Sequence, residues 1–156
     1  MRPFRTRPAL SSIREHAYAL EINPDHYSLW GGSAGARLAA WLGDLGTERL
    51  GERYSPPPAA VIMQYTGHRE YTRHIPPTFA CVGDSDWIAP DYVMEERIAA
   101  LKDLGIDAEV HVYKGLGHGF GLGTGTVAEG WIDRAIAFWE RQLPPSLRQS
   151  APEDRQ

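Results

Sequence analysis

The sequence predicts an α/β fold built on a mostly parallel sheet of about four strands flanked by helices. Three observations carry the prediction. Two continuous apolar runs, over residues 59–65 and 78–83, are bounded by turn residues and read as strands buried on both faces. Strand-like runs alternate with longer segments of helical periodicity, the pattern that gives a parallel sheet. The turns that follow the predicted strands also collect the side chains best suited to chemistry, which is where an open α/β sheet keeps its ligand site.

Residues 1–8 read as a flexible tail in which Arg2, Arg5 and Arg7 are set around Pro3 and Pro8. Apolar residues then recur at Leu10, Ile13, Ala17 and Leu20, the spacing of one helix face. Asn23-Pro24-Asp25 ends that helix, because Pro24 lacks an amide donor and disfavours helix at the residue before it. In residues 27–36 the apolar pair Leu29 and Trp30 runs straight into Gly31-x-Ser33-x-Gly35. A serine on a sharp strand-to-helix turn needs strained backbone angles and small neighbours, and Gly31, Gly32 and Gly35 supply that room. The following helix carries Leu38, Ala39, Ala40, Trp41 and Leu42, apolar nearly all round, which predicts deep burial.

Residues 43–58 form a surface connection ending in Pro56-Pro57-Pro58, ahead of the strand at 59–65. A loop rich in Gly, His, Arg and Tyr spans residues 66–77 before the strand at 78–83. Gly83-Asp84-Ser85-Asp86 turns out of that strand. Asp91 is the expected cap of a helix over 92–104, stopped by Gly105. Alternation over 108–113 predicts a strand near the sheet edge, and a glycine-dense loop, 115–121, follows it. Thr126 and Glu129 have the spacing of a capping box and are expected to open the last helix, which Pro144-Pro145 ends. The expected domain therefore spans 9–143, with a disordered tail over 144–156.

A chain of 156 residues suits one domain with a substantial core. Its net charge of −4 provides no basic field for nucleic acid or an anionic membrane, so neither is expected as a partner. The single Cys81 excludes an intrachain disulfide framework and a multi-cysteine zinc site, and its apolar neighbours predict burial. The histidines lack paired ligand spacing such as His-x-x-x-His, so no metal and no cofactor is expected. No apolar run approaches membrane-spanning length, and the N-terminus lacks the apolar core of a secretory signal. A cytoplasmic location follows as the expectation.

Ser33 follows the first strand, Asp86 the third and His118 the fourth. A serine hydroxyl is a poor nucleophile at neutral pH and needs a base, a role open to His118. An imidazole in turn needs a carboxylate to fix its tautomer, a role open to Asp86. Each residue has a plainer reading alone: Ser33 as a helix cap, Asp84 and Asp86 as turn formers, His118 as one of six histidines. Three matches in the order Ser, Asp, His, each beyond a strand end, favour the catalytic reading.

On these residues the chain resembles the C-terminal half of an α/β-hydrolase of the esterase/lipase group, similar to the small acetyl-esterase and acyl-peptidase-like enzymes. The matching pieces are Asn23-Pro24-Asp25, Leu29-Trp30-Gly31-Gly32-Ser33-Ala34-Gly35, Pro76-Pro77-Thr78-Phe79 onward to Pro90, and Gly117-His118-Gly119-Phe120. They cover most of residues 9–143. The resemblance implies that Asp86, in Gly83-Asp84-Ser85-Asp86-Trp87-Ile88-Ala89-Pro90, is the acid in preference to Asp84, and that the Ala34 N–H is one oxyanion donor. The family has eight strands and an upstream His-Gly-Gly-Gly-type loop that supplies the other donor. Nothing before Ser33 resembles that loop. A truncated or split hydrolase is therefore expected, with its N-terminal strands missing and its elbow strand at a sheet edge, prone to self-association. A signal peptide lost with the missing half would alter the expected location.

Aromatics at Tyr65, His68, Tyr71, Trp87 and Phe120 lie in loops beyond the strand ends, and Gly32, Trp87 and Phe120 are the candidate substrate contacts. The short 66–77 loop leaves no large lid, which points to small soluble esters, with an acetylated carbohydrate as the candidate. The expected function is hydrolysis of small carboxylic esters through an acyl-enzyme. The alternatives are a weak or inactive fragment serving as a binding module, and a serine peptidase or thioesterase on the same fold.

Overall fold

The computed structural model describes residues 9–50 and 55–148. The tail expected over 1–8, and residues 149–156 of the second expected tail, lie outside them.

Four strands form one wholly parallel sheet in chain order: β1 (Ser28–Gly32), β2 (Ala60–Gln64), β3 (Thr78–Gly83) and β4 (Ala108–Tyr113). Every residue of β2 and β3 is buried, which is why their sequences show no alternation. Side-chain period 2 divides each central strand between two cores. Val61, Met63, Ala80 and Val82 pack with Ala36 and Ala40 of helix α2 (Ala34–Leu45) and with Met94, Ile98 and Leu101 of helix α3 (Asp91–Asp103). Ala60, Ile62, Phe79 and Cys81 face the other way, onto Trp131, Ala135 and Phe138 of helix α4 (Trp131–Arg141). Cys81 is fully buried, and burial raises its thiol pKa far above the ordinary value.

The register aligns the carboxyl ends. Gly32 pairs with Gln64, Gln64 with Cys81 and Gly83 with Tyr113, so the turns leaving β1, β3 and β4 emerge together.

Several elements differ from expectation. The first helix covers only Ala9–Glu15 and buries no side chain. Helix α2 is not deeply buried: Ala36, Ala39, Ala40 and Gly43 are covered, whereas Leu38 is 62% exposed and Trp41 44%. β1 and β2 cover only one side of it, and Trp41 on the other side meets the His68 ring at 5.9 Å and the Arg37 guanidinium at 5.5 Å without being buried. Helix α3 starts at Asp91 with Pro90 in the cap position, and the Asp91 carboxylate accepts from the adjacent Tyr92 N–H. Thr126 and Glu129 do not open the last helix. Thr126 Oγ1 donates to the Gly123 carbonyl and accepts from Ala128 N–H, while Glu129 accepts from Gly125 N–H, so the pair closes a turn. Gly130 at φ 79° then separates that turn from α4. After α4, residues Pro145–Leu147 form a short 3-10 turn.

The two glycines of the Gly-x-Ser-x-Gly motif are not equivalent. A Cβ on Gly31 would collide with the Gly35 carbonyl, whereas a Cβ on Gly35 would meet open space. Gly31→Ala is therefore expected to destabilise the protein by about 1–3 kcal/mol through backbone displacement. Gly35→Ala, at an exposed helical position, is expected to stabilise it by up to about 1 kcal/mol. Urea denaturation of the two variants checks the pair, and equal effects would refute this account of Gly31.

Candidate active site

Ser33 joins β1 to α2 with φ 53° and ψ −119°, a conformation costing on the order of 1–3 kcal/mol for a residue with a side chain. Its surroundings leave it no alternative. The Ser33 N–H donates to the Gln64 carbonyl (2.9 Å), and its carbonyl accepts from Ala36 N–H (3.1 Å) and Arg37 N–H (3.3 Å). Gly31, without a side chain, lets the first turn of α2 fold back onto the strand. The hydroxyl thus projects from the turn beyond the sheet.

Asp86 is 4% exposed in the turn after β3. Its Oδ1 accepts from Ile88 N–H (2.9 Å) and Ala89 N–H (2.8 Å), which leaves Oδ2 free to lie 2.7 Å from His118 Nδ1. A carboxylate only accepts, so Nδ1 carries the proton and Nε2 is left as an acceptor for the Ser33 hydroxyl, 2.9 Å away. Asp84 is employed differently. It accepts from Gly115 N–H (2.6 Å) and from the Ser85 hydroxyl, bracing the start of the histidine loop.

That loop is tied down by residues the motifs do not include. Gln64 Nε2 donates to the Gly121 carbonyl (2.5 Å), which also accepts from Trp131 Nε1 (2.9 Å). Tyr65, itself at φ 37°, presents its ring to His118 at 4.9 Å and to Phe120 at 5.0 Å. Gln64 was legible in principle as the one polar residue closing a buried apolar strand, and Arg37 as the residue one helical turn after Ser33.

A cleft of about 270 Å³ opens over Ser33 and His118, with Ala34, Arg37, Tyr65, His68 and Ile88 on its walls. The Ala34 N–H faces no acceptor among the described residues. Of the other candidate contacts, Gly32 lies against Tyr65, whose hydroxyl would be 2.9 Å from a Cβ there. Trp87 stands 84% exposed outside the cleft lining, and Phe120 packs between Tyr65 and Tyr113 on the α4 side of the sheet. Tyr71 lies beneath Arg97 at 5.4 Å. Among the described residues no group of three or more His, Cys, Asp or Glu could hold a metal ion, and no helix is long and apolar enough to cross a membrane.

His68 is 1% exposed, with Nδ1 2.8 Å from Glu70 Oε2. Burial and the nearby Arg97 guanidinium hold its pKa below 6.5 despite that carboxylate. Arg97 is itself 3% exposed, and burial pushes its pKa down to about 10. It donates to the Glu70 carbonyl at 2.7 Å and so fixes the loop that carries His68.

No family model and no curated protein matches the chain. Solved structures do. The chain is similar to an α/β-hydrolase enzyme from a Medee basin deep-sea metagenome library, at 26% identity and TM-score 0.68, over 86% of this chain and 61% of that one. It is similar to the acetyl ester-xyloside bifunctional hydrolase of Caldicellulosiruptor lactoaceticus, at 23% identity and TM-score 0.70, over 85% and 62%. It also matches a thermophilic esterase of the planctomycete Thermogutta terrifontis, at 22% identity and TM-score 0.71, over 89% and 64%. The fold is thus the α/β-hydrolase fold in part. The chain spans less than two thirds of the length of each of these structures.

The depressed pKa of His68 fixes a pH dependence. An unfolded His68 takes up a proton as pH falls through 6.5, whereas the folded one resists, so its contribution to stability is present above pH 6.5 and lost below it. Urea midpoints are expected to fall between pH 7.5 and pH 5.5, and to fall less in His68→Gln. An equal fall in the variant would refute the assignment.

Proposed function

We propose that this chain is a serine hydrolase of small carboxylic esters, with Ser33 as nucleophile, His118 as general base and acid, and Asp86 as the group orienting the imidazole. The observation that carries the reading is the unbroken series Ser33 Oγ, His118 Nε2, His118 Nδ1 and Asp86 Oδ2, with separations of 2.9 and 2.7 Å, at the carboxyl end of a parallel sheet. His118 Nε2 takes the hydroxyl proton as Oγ attacks the ester carbonyl. Asp86 stabilises the imidazolium through Nδ1–H. The Ala34 N–H, at the positive end of α2, stabilises the oxyanion. The imidazolium protonates the departing alcohol, leaving an acyl-Ser33 ester. Water, deprotonated by His118, then releases the acid and restores Ser33.

The solved neighbours include esterases and an acetyl ester-xyloside hydrolase, which supports small esters, acetylated carbohydrate among them. A single assigned oxyanion donor supports a second reading, that of a weak hydrolase or binding module. Losing one such donor costs about 10²–10³ in rate in a serine protease. A peptidase or thioesterase on the same fold is the remaining competitor. We further read the chain as one hydrolase domain over 9–143 that acts in the cytoplasm without cofactor, nucleic acid or membrane. The outer edge of β1, with Trp30 39% exposed, is its self-association surface.

A fluorophosphonate probe is expected to label the wild type and to lose its site in Ser33→Ala, with labelling at least about 100-fold slower in His118→Ala. Absence of labelling in folded protein would support the binding-module reading. Faster turnover of an aminoacyl anilide or acyl thioester than of p-nitrophenyl acetate would reassign the reaction. Light scattering tests the edge: a monomer at all concentrations would remove the association surface.

A further inference from the structure

We propose that Arg37 makes this cleft selective for small esters that bear a carboxylate, an inference that rests on the serine hydrolase reading above and names its substrate class. Arg37 follows Ser33 by four residues, so α2 carries it on the same face as the serine, just over one turn or about 6 Å further along the axis. Its side chain forms part of the cleft wall and remains 52% exposed.

Its donors are largely unused. The carboxylate closest to it, Glu70, lies 3.9 Å from Nη2, beyond hydrogen-bond reach, and is taken by His68 Nδ1 at 2.8 Å. Because Nδ1 donates its proton to Glu70, it is a poor acceptor for Arg37 Nε, which lies 3.4 Å away. The guanidinium also lies over the Trp41 ring, 5.5 Å from its centroid, a cation–π contact. A cation–π contact uses the ring face and consumes no N–H donor, so the Arg37 N–H groups stay available to a planar, two-oxygen acceptor.

The surrounding charges agree. Among the described residues no Asp or Glu side chain lines the cleft. Asp86 is fully buried behind His118, and Asp44 is held by Thr72 through two hydrogen bonds. His68 is neutral on the same wall and offers no competing charge. An incoming carboxylate therefore meets, about one helical turn from the nucleophile, a cation whose carboxylate neighbour Glu70 lies 3.9 Å away and is hydrogen-bonded to His68 instead.

Two substrate pairs test the proposal, since the carboxylate sits on the alcohol or on the acyl portion. 4-Acetoxybenzoate is compared with its methyl ester, and monomethyl glutarate with dimethyl glutarate, in the wild type, Arg37→Gln and Arg37→Lys. In at least one pair, the kcat/KM ratio of charged to neutral ester is expected to fall about tenfold or more in Arg37→Gln, mainly through KM, the size of a lost charged hydrogen bond. Arg37→Lys is expected to recover part of the ratio by charge alone. Calorimetric binding of the products 4-hydroxybenzoate and glutarate to Ser33→Ala, with and without Arg37→Gln, gives a readout that needs no turnover. Ratios unchanged within twofold in both pairs would overturn the proposal. If the wild type hydrolyses none of the four esters, the hydrolase reading fails, and the binding arm alone decides Arg37: weaker binding of either product in the double variant sustains it, and unchanged binding of both overturns it.

Discussion

The backbone at Ser33 is held at φ 53° by contacts on three sides, and most of the remaining architecture follows from that constraint. The Gln64 carbonyl fixes the Ser33 amide from β2, the first turn of α2 fixes its carbonyl, and the missing side chain of Gly31 allows the strand and helix to close on each other. A strained serine persists only when its neighbours over-determine it. Here the neighbours are two strands in fixed register and a helix packed on both. The hydroxyl direction is therefore a property of the sheet rather than of a mobile loop.

The same register couples the other two members. Because the carboxyl ends of β3 and β4 align at Gly83 and Tyr113, the turns that follow them start side by side, and Asp84 ties them together through Gly115 N–H. Asp86 is then fixed by two backbone amides before it touches His118. Division of labour between the two carboxylates follows from position. Asp84, still exposed, braces the loop, and Asp86, inside, reaches the imidazole.

The sheet and the meeting of Ser33, His118 and Asp86 were legible in the sequence because both depend on local signals: unbroken apolar runs for β2 and β3, glycine spacing around Ser33, and one reactive residue per turn. The supports of the site were not. Gln64 reaches Gly121 across 57 positions and Arg97 reaches Glu70 across 27, and no periodicity encodes such pairs. The Thr126–Glu129 pair departs from its capping-box spacing for a related reason: a capping box specifies two local hydrogen bonds, and the left-handed Gly130 diverts those groups into a turn. For α2, an apolar sequence all round predicts burial, yet burial also requires a covering surface, and β1 and β2 cover only one side of the helix.

That uncovered side bears on how firmly the serine is held. Leu38, Trp41 and Leu45 are exposed on α2, and β1 has a strand neighbour on one side only among the described residues. Fully burying a large apolar side chain contributes about 1.5–3 kcal/mol, so three half-exposed ones leave several kcal/mol unrealised in the element that shapes the elbow. The strain stored at Ser33 is of similar size. A surface that covered α2 would thus add stability where the chain spends it, and Arg37, which lies over the Trp41 ring in the same helix, would be steadied with it. Occupancy of this face and the geometry of the cleft are two ends of one helix.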